Sequence, residues 1–238
     1  MKILVTNDDG INSYGLKILV DVARQFGEVF CIAPMTEQSG KSHSIIIKDP
    51  IQILKEKDIV EGVRTYSVNG TPGDCVRIAY YYLKEEFDIV FSGVNNGYNL
   101  GEDILYSGTV GAASEGVLCG KKAIAFSTER NHFENIVDEL NLVLNIVKEK
   151  KLLDINKLWN INICNNYKGI KFTSQGYTNF DSYYEMISQN SIISRGSPDY
   201  ARDKDIETSD VKAIYNNYIS ITPLTVDRTD YNILNKIK

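Results

Sequence analysis

A β-type apolar run over residues 2–7 gives way to the turn-rich stretch DDGINSYG at 8–15. Beyond it Leu16, Leu19, Val20, Ala23 and Phe26 recur at helical spacing, with Ser13 placed to cap the helix and Gly27 to close it. EVFCIAP at 28–34 is a second continuous apolar run, ended by Pro34. Such a strand–helix–strand unit pairs its strands in parallel through a right-handed crossover.

The alternation continues along the chain. IIIKDPIQIL at 45–54 and TYSVNG at 65–70 read as β-like, and TPGDCVRIAYYYL at 71–83 reads as a helix entered through Thr71 and Pro72. FDIVFSG at 87–93 predicts a buried strand, followed by a long glycine- and asparagine-rich loop. TVGAASEGVLCG at 109–120 suits a helix lined with small residues, and KAIAFST at 122–128 a further strand. Over 132–150 the residues Ile136, Leu140, Val143 and Val147 keep helical period. The pattern predicts an α/β fold of Rossmann-like, doubly wound type with a mostly parallel sheet. LWNINIC at 158–164 and YISITPL at 218–224 predict two more strands, with a weakly alternating polar stretch at 172–196 between them. No Gly, Ser or Pro linker divides the chain. The expectation is one domain over 1–238, with a core at 1–150 and a β-rich C-terminal extension at 151–238.

Composition narrows the function classes. The 238 residues carry 31 acidic against 26 basic side chains, and a net charge of −5 offers no electrostatic case for nucleic-acid binding. The opening apolar run is too short for a signal peptide core or a membrane span. Cys31, Cys75, Cys119 and Cys164 are widely spaced with no CxxC pair, which suits buried reduced thiols in a cytoplasmic protein.

Ligands of doubly wound sheets bind outside the carboxyl ends of the strands. Three polar segments fall there: TNDDG after the first strand, APMTEQSG after the second, and SGVNNGYNLG after the strand at 87–93. The fold would thus gather Asp8, Asp9, Ser39, Asn95 and Asn96 at one edge. Adjacent carboxylates raise each other's pKa unless a cation or donor compensates. With hydroxyl and amide oxygens beside them they form an all-oxygen set suited to a hard divalent cation such as Mg²⁺ or Mn²⁺. Ser107, Gly108 and Thr109 lead into a helix whose first amides are free donors for an anion. His43, in GKSHS, would be a proton donor if it faces this cluster. Each segment has a plain structural alternative as a turn, a cap or a surface loop; the case rests on their coincidence at one sheet edge.

Taken together these segments resemble the survival protein SurE family of metal-dependent nucleotidases. ILVTNDDGI stands at 3–11; Ala33, Pro34, Ser39, Gly40, His43, Ser44 and Ile45 match a second signature. NGTPGDCV at 69–76, SGVNNGYNLGEDILYSGTVGAASEG at 92–116 and YISITPLTVDRT at 218–229 complete the likeness. The resemblance implies one divalent ion per subunit, Mg²⁺ or Mn²⁺, held by Asp8, Asp9, Ser39 and Asn95, with Asp8 and Asp9 as catalytic residues. It implies substrate contacts around Gly40, Asn96, Ser107, Gly108 and Thr109, beside His43. It further implies hydrolysis of nucleoside 5′- and 3′-monophosphates, with short-chain polyphosphate as a possible further substrate, by a cytoplasmic homodimer or homotetramer that exchanges C-terminal segments. Three departures stand out: Ser13-Tyr14 where the family has Ala-Pro, Ser42 where it has glycine, and NINICNN without the family's proline.

Two-component receivers also open on a strand ending in paired carboxylates, but they need a phosphorylatable Asp closing a buried strand near 50–55. Here Asp49 precedes Pro50, and Asp58 comes before its apolar neighbours. A dinucleotide site would need GxGxxG after the first strand, where NDDGINSYG stands instead, and a haloacid-dehalogenase-type phosphatase would need DxD there, whereas Asp8 and Asp9 are adjacent.

Overall fold

In the computed structural model, residues 1–180, 183–196, 198–199 and 207–238 are described; the parts of the C-terminal extension at 181–182, 197 and 200–206 lie outside them. The first half supplies strands β1 (Lys2–Thr6), β2 (Glu28–Pro34), β3 (Ile53–Lys55), β4 (Thr65–Val68) and β5 (Ile89–Asn96), with helices α1 (Tyr14–Ala23) and α2 (Pro72–Arg77). Helices α3 (Gly108–Leu118), α4 (Ile136–Glu149) and α5 (Leu152–Ile155) follow, with strands β6 (Lys122–Thr128) and β7 (Leu158–Ile163) among them. The last part holds β8 (Ile170–Phe172), β9 (Asn179–Phe180), β10 (Tyr183–Ser188), β11 (Ser191–Arg195), β12 (Pro198–Asp199), α6 (Asp210–Tyr215), β13 (Ile219–Leu224) and α7 (Tyr231–Ile237).

Nine strands form one sheet in the order β3-β4-β2-β1-β5-β6-β7-β13-β8. The six from β4 to β7 run parallel, with Leu4 opposite Phe30 and Val90. β1 therefore lies where the chain turns first toward β2 and β4, then back toward β5, β6 and β7. That reversal opens a crevice at the carboxyl ends of β1 and β5. Alternate residues feed two cores. Ile3, Val5, Ile89, Phe91, Ile124 and Phe126 pack under α1 and α4. Leu4, Ile32, Val90, Ala123 and Ala125 pack under α2 and α3. Near-continuous apolar runs, alternate residues facing opposite cores, are what parallel strands buried on both faces require.

Several expectations need correction. The stretch 45–54 yields only the three-residue β3, because Pro50 lacks a ladder donor and the Ile46 amide is held by Asp74 Oδ1 at 3.1 Å. Ile47 is consequently exposed. The helix from Thr71 stops being α-helical at Arg77 and continues as a π-helical turn over Ile78–Tyr82. Its start is as expected: Thr71 and Asp74 form a reciprocal capping box. β5 extends three residues past Gly93, to Asn96. α4 begins at Ile136, since His132 is buried against Glu139 at 3.0 Å ahead of it. The final strand β13 joins the same sheet, antiparallel to β7 and parallel to β8. β10 and β11 form a separate antiparallel hairpin. All four cysteines are free and buried, and among the described residues no helix is long and apolar enough to cross a membrane.

The C-terminal part is stitched to the loop after β5 by Asp210. Its carboxylate accepts from the amides of Gly101 at 3.0 Å, Gly176 at 2.8 Å and Val211 at 2.8 Å, all buried. Each orphaned buried amide costs about 1–3 kcal/mol. Asp210→Ala is expected to lower stability by roughly 3 kcal/mol or more, read as a fall in the denaturant midpoint; a change below 1 kcal/mol would show that the stitch contributes little.

Candidate active site

Asp8 and Asp9 follow β1 after one residue, Asn7, at the crevice the topology creates. Asp8 is buried, and its carboxylate accepts hydrogen bonds from the Thr109 hydroxyl and the Thr109 amide at the start of α3. Its pKa is pushed up to about 6, the net of burial, which raises it most, the Thr109 bonds, which lower it, and the charge of Asp9, which raises it. Asp9, partly buried, accepts from the Asn96 amide at 3.1 Å, and burial together with Glu37 raises its pKa also. Among the described residues no Lys, Arg or His forms an ion pair with either carboxylate.

Two glycines on α3 make this closeness possible. A Cβ at Gly108 would lie 2.8 Å from Asp8 Cβ and 2.9 Å from its Oδ2. A Cβ at Gly111 would lie 2.6 Å from the Ser42 carbonyl oxygen, where the loop carrying His43 crosses the helix. Ser42 has φ 58, a conformation that favours glycine. It is held by its amide to Tyr106 O at 2.9 Å and its hydroxyl to Leu105 O at 2.5 Å. Ser13 is likewise a working substitute. Its hydroxyl accepts from Leu16 N at 3.3 Å as the α1 cap and from Asn7 Nδ2 at 2.7 Å, bracing the strand end beside Asp8.

A cleft of about 800 Å³ is lined by Asp8, Ser39, Gly40, Ser107, Tyr106 and Tyr184, with Tyr98 and Asn99 also in its wall. That volume lies within the range of small-molecule sites. Ser39 is exposed there, its hydroxyl donating to Glu37 at 2.7 Å. Ser107 caps α3 through Val110 N. Asn95 turns Nδ2 back onto Gly97 O at 2.8 Å, leaving its carbonyl oxygen as the end it has to offer a cation. Asn96 reaches Asp9 with its backbone; its side chain instead accepts from Asn131 N at 2.7 Å. His43 lies outside the cleft, in a neighbouring pocket of about 350 Å³ that shares Leu105 and Ser107. There its Nε2 bonds Glu115 at 2.7 Å, and Glu115 also accepts from Arg77 at 2.9 Å. Burial raises the pKa of Glu115, but the bonds from His43 and Arg77 outweigh it and hold the carboxyl below its usual range.

Several positioning residues escape sequence reasoning. Asn99, in the loop after β5, is gripped by β7: its amide donates to Asn162 Oδ1 at 2.8 Å, and its carbonyl accepts from Asn160 and Asn162. Thr178 reaches Glu102 and Asp103 on the same loop. The repeated asparagines of NINIC were the available signal, since buried strands seldom carry them without partners. Glu115 had no such signal within its small-residue helix.

The survival protein SurE family profile matches residues 3–182. The chain is 37% identical over 253 residues to the 5′-nucleotidase SurE of Clostridium beijerinckii, covering all of this chain and 98% of that protein. It is 38% identical over 247 residues to the 5′-nucleotidase SurE of a Thermoanaerobacter species, covering 99% and 96%. Among solved structures it is similar to the SurE protein of Aquifex aeolicus, with a TM-score of 0.80, 33% identity and coverage of 100% and 98%. Nothing in these matches supports a receiver, and Asp49 lies outside any strand.

Because the folded Asp8 pKa lies near 6 against 3.8 unfolded, the metal-free folded state binds more protons than the unfolded one between those values. In chelator, stability therefore falls as pH rises through that window, by about 3 kcal/mol when complete. Chemical denaturation in EDTA at pH 4 and pH 7 is expected to show this fall in the wild type and a smaller one in Asp8→Asn. Equal pH slopes would mean that Asp8 is not desolvated.

Proposed function

The chain belongs to the survival protein SurE family, and from that premise we propose that it is a metal-dependent phosphomonoesterase acting on nucleoside 5′- and 3′-monophosphates. The observation that carries the reading is the pair Asp8–Asp9. Two neighbouring carboxylates, the buried Asp8 lining a ligand-sized cleft and Asp9 beside it in sequence, have no cationic side chain paired with them among the described residues. Such a donor set fits a hard divalent cation, Mg²⁺ or Mn²⁺. Among the described residues no group of three His, Cys, Asp or Glu side chains is placed to hold a metal ion. We take Ser39 and Asn95 to supply the remaining ligands as neutral oxygens, which add no further negative charge beside an anionic substrate.

When bound, such a cation acts as a Lewis acid on a phosphoryl oxygen. The chain's own residues do the rest. Thr109 fixes the orientation of Asp8, and the Asn96 amide fixes Asp9. Ser107 and Gly108 present hydroxyl and amide to the phosphate at the start of α3, where the helix dipole favours negative charge. Gly40 leaves the cleft mouth open beside Ser39. One carboxylate oxygen of the pair takes the proton of the attacking water. Tyr98, Tyr106 and Tyr184 give the cleft aromatic walls on which a nucleobase can stack. His43, bonded to Glu115 behind Ser107, positions the loop over the phosphate site. Short-chain polyphosphate is a second substrate of the same charge type.

We also place the protein in the cytoplasm, as a single domain that assembles as a homodimer or homotetramer through its C-terminal segments. Tyr183, Tyr184, Met186, Ile187, Ile192 and Ile193 on the β10–β11 hairpin are all exposed in the isolated chain, and α7 buries no residue. Apolar surface of this kind supports an interface between copies.

Phosphate release from nucleoside monophosphates is expected to need Mg²⁺ or Mn²⁺ and to stop in EDTA. Asp9→Asn should lower kcat by about a hundredfold or more with an unchanged circular dichroism spectrum. Turnover that survives exhaustive chelation would overturn the metal-dependent reading. For assembly, Met186→Glu combined with Ile192→Glu should reduce the mass measured by light scattering to that of one chain; an unchanged oligomer would locate the interface elsewhere.

A further inference from the structure

The turn between β6 and α4 reaches the carboxylate pair without forming any wall of the cleft. Residues 129–132 make this turn, which is closed by the His132 amide donating to Glu129 O at 3.0 Å. Asn131, at its third position, has φ 64. A turn that needs a left-handed residue there takes Gly or Asn, and a β-branched side chain fits it worst. The residue at this exposed tip thus suits a particular backbone shape, and the shape has a use.

It aims the Asn131 backbone amide at the end of β5. That amide donates to Asn96 Oδ1 at 2.7 Å, and the Asn96 backbone amide in turn donates to Asp9 Oδ2 at 3.1 Å. The Asn96 nitrogen belongs to the peptide that follows Asn95, so one clasp steadies both Asp9 and Asn95. Behind its tip the turn is fixed by groups remote from the cleft. His132 and Glu139 are both buried and bonded at 3.0 Å. The Glu129 amide donates to Ile163 O at 3.2 Å. Phe133 meets Tyr14 of α1 edge-on, with ring centroids 5.5 Å apart. Asn96 and Asn131 are themselves exposed. Water would serve both amides there, so stability alone does not call for their contact. The buried anchors give the turn its rigidity, and the exposed link passes it on to Asp9.

We propose that Asn131 is a positioning residue of the metal site: its left-handed backbone holds Asn96, and through Asn96 it keeps Asp9 and Asn95 in place. The inference rests on the metal-dependent reading of Asp8 and Asp9. Metal ligands are oriented by the groups that bond them from behind, and losing one such group costs about 10–100-fold in affinity. The Asn131 N–H does the holding. Its carboxamide contributes little, since the side-chain contact to Asn96 is 3.5 Å, at the limit of a hydrogen bond. Glycine at this position should therefore serve as well as asparagine, and valine should not.

Mn²⁺ binding to the substrate-free protein, followed by electron paramagnetic resonance of the free ion, tests this independently of turnover. The wild type is expected to take up one ion per chain. Asn131→Val should weaken that binding about tenfold or more, while Asn131→Gly should bind Mn²⁺ as the wild type does. Asn96→Ala should weaken binding to a similar extent as Asn131→Val. Adding Asn131→Val to Asn96→Ala should then cause no further loss, because the link is already broken. Equal affinities in the valine and glycine variants would overturn the inference while leaving the metal site standing. Additive losses in the double variant would do the same. A wild type that binds no Mn²⁺ would overturn the metal-dependent reading, and this inference with it. Should Asn131→Val fail to fold by circular dichroism, Asn131→Ala takes its place in both comparisons, with a smaller loss expected.

Discussion

A carboxylate taken out of water next to another carboxylate is the constraint around which this molecule is arranged. Asp8 lies at the point where the doubly wound sheet reverses direction, and its burial alone would favour the protonated form. The fold opposes that tendency with the start of α3. Thr109 gives Asp8 a hydroxyl and an amide, and Gly108 lacks the Cβ that would keep the helix away. Donors of this kind reduce the penalty without removing it, because the pKa remains near 6. That residual cost is the basis of the proposal that a divalent cation binds beside the pair.

Rigidity around that pair comes from polar contacts rather than from apolar packing. The loop from Gly97 to Ser107 carries few large buried side chains, and a segment of this length would otherwise lose much entropy on ordering. It is held instead at discrete points: Asn99 by the β7 asparagines, Gly101 by Asp210, Glu102 and Asp103 by Thr178. Each anchor comes from the last third of the chain. The C-terminal strands and α6 therefore shape the cleft although none of their residues was a candidate for chemistry.

Much of this was legible in the residues. The β1–α1–β2 unit, the capping roles of Ser13 and Thr71, and the strands expected at 87–93, 122–128 and 158–164 follow from periodicity and turn chemistry, which are local; the extension of β5 to Asn96 does not. The antiparallel placement of β13 between β7 and β8 was not, because strand direction within a sheet depends on the path of distant segments. Residues 45–52 look extended by composition, yet a single contact from Asp74 and the missing donor of Pro50 decide their course. At the site, sequence position groups the candidates at one sheet edge, and of them Asp8, Ser39, Gly40 and Ser107 line the cleft while Asp9, Asn95 and Asn96 do not. It could not show that the Asn96 side chain would turn to Asn131, or that His43 would pair with Glu115 on the far side of Ser107. Those outcomes are fixed by side-chain directions that only the packed structure defines.

The central claim is that Asp8 and Asp9 tolerate one another because a doubly charged ion belongs beside them. Anomalous scattering from a crystal soaked in Mn²⁺ tests it most directly. The account predicts one strong peak within bonding distance of both carboxylates, with Ser39 or Asn95 completing the shell. An intact site at full manganese saturation with no peak at that pair would contradict it.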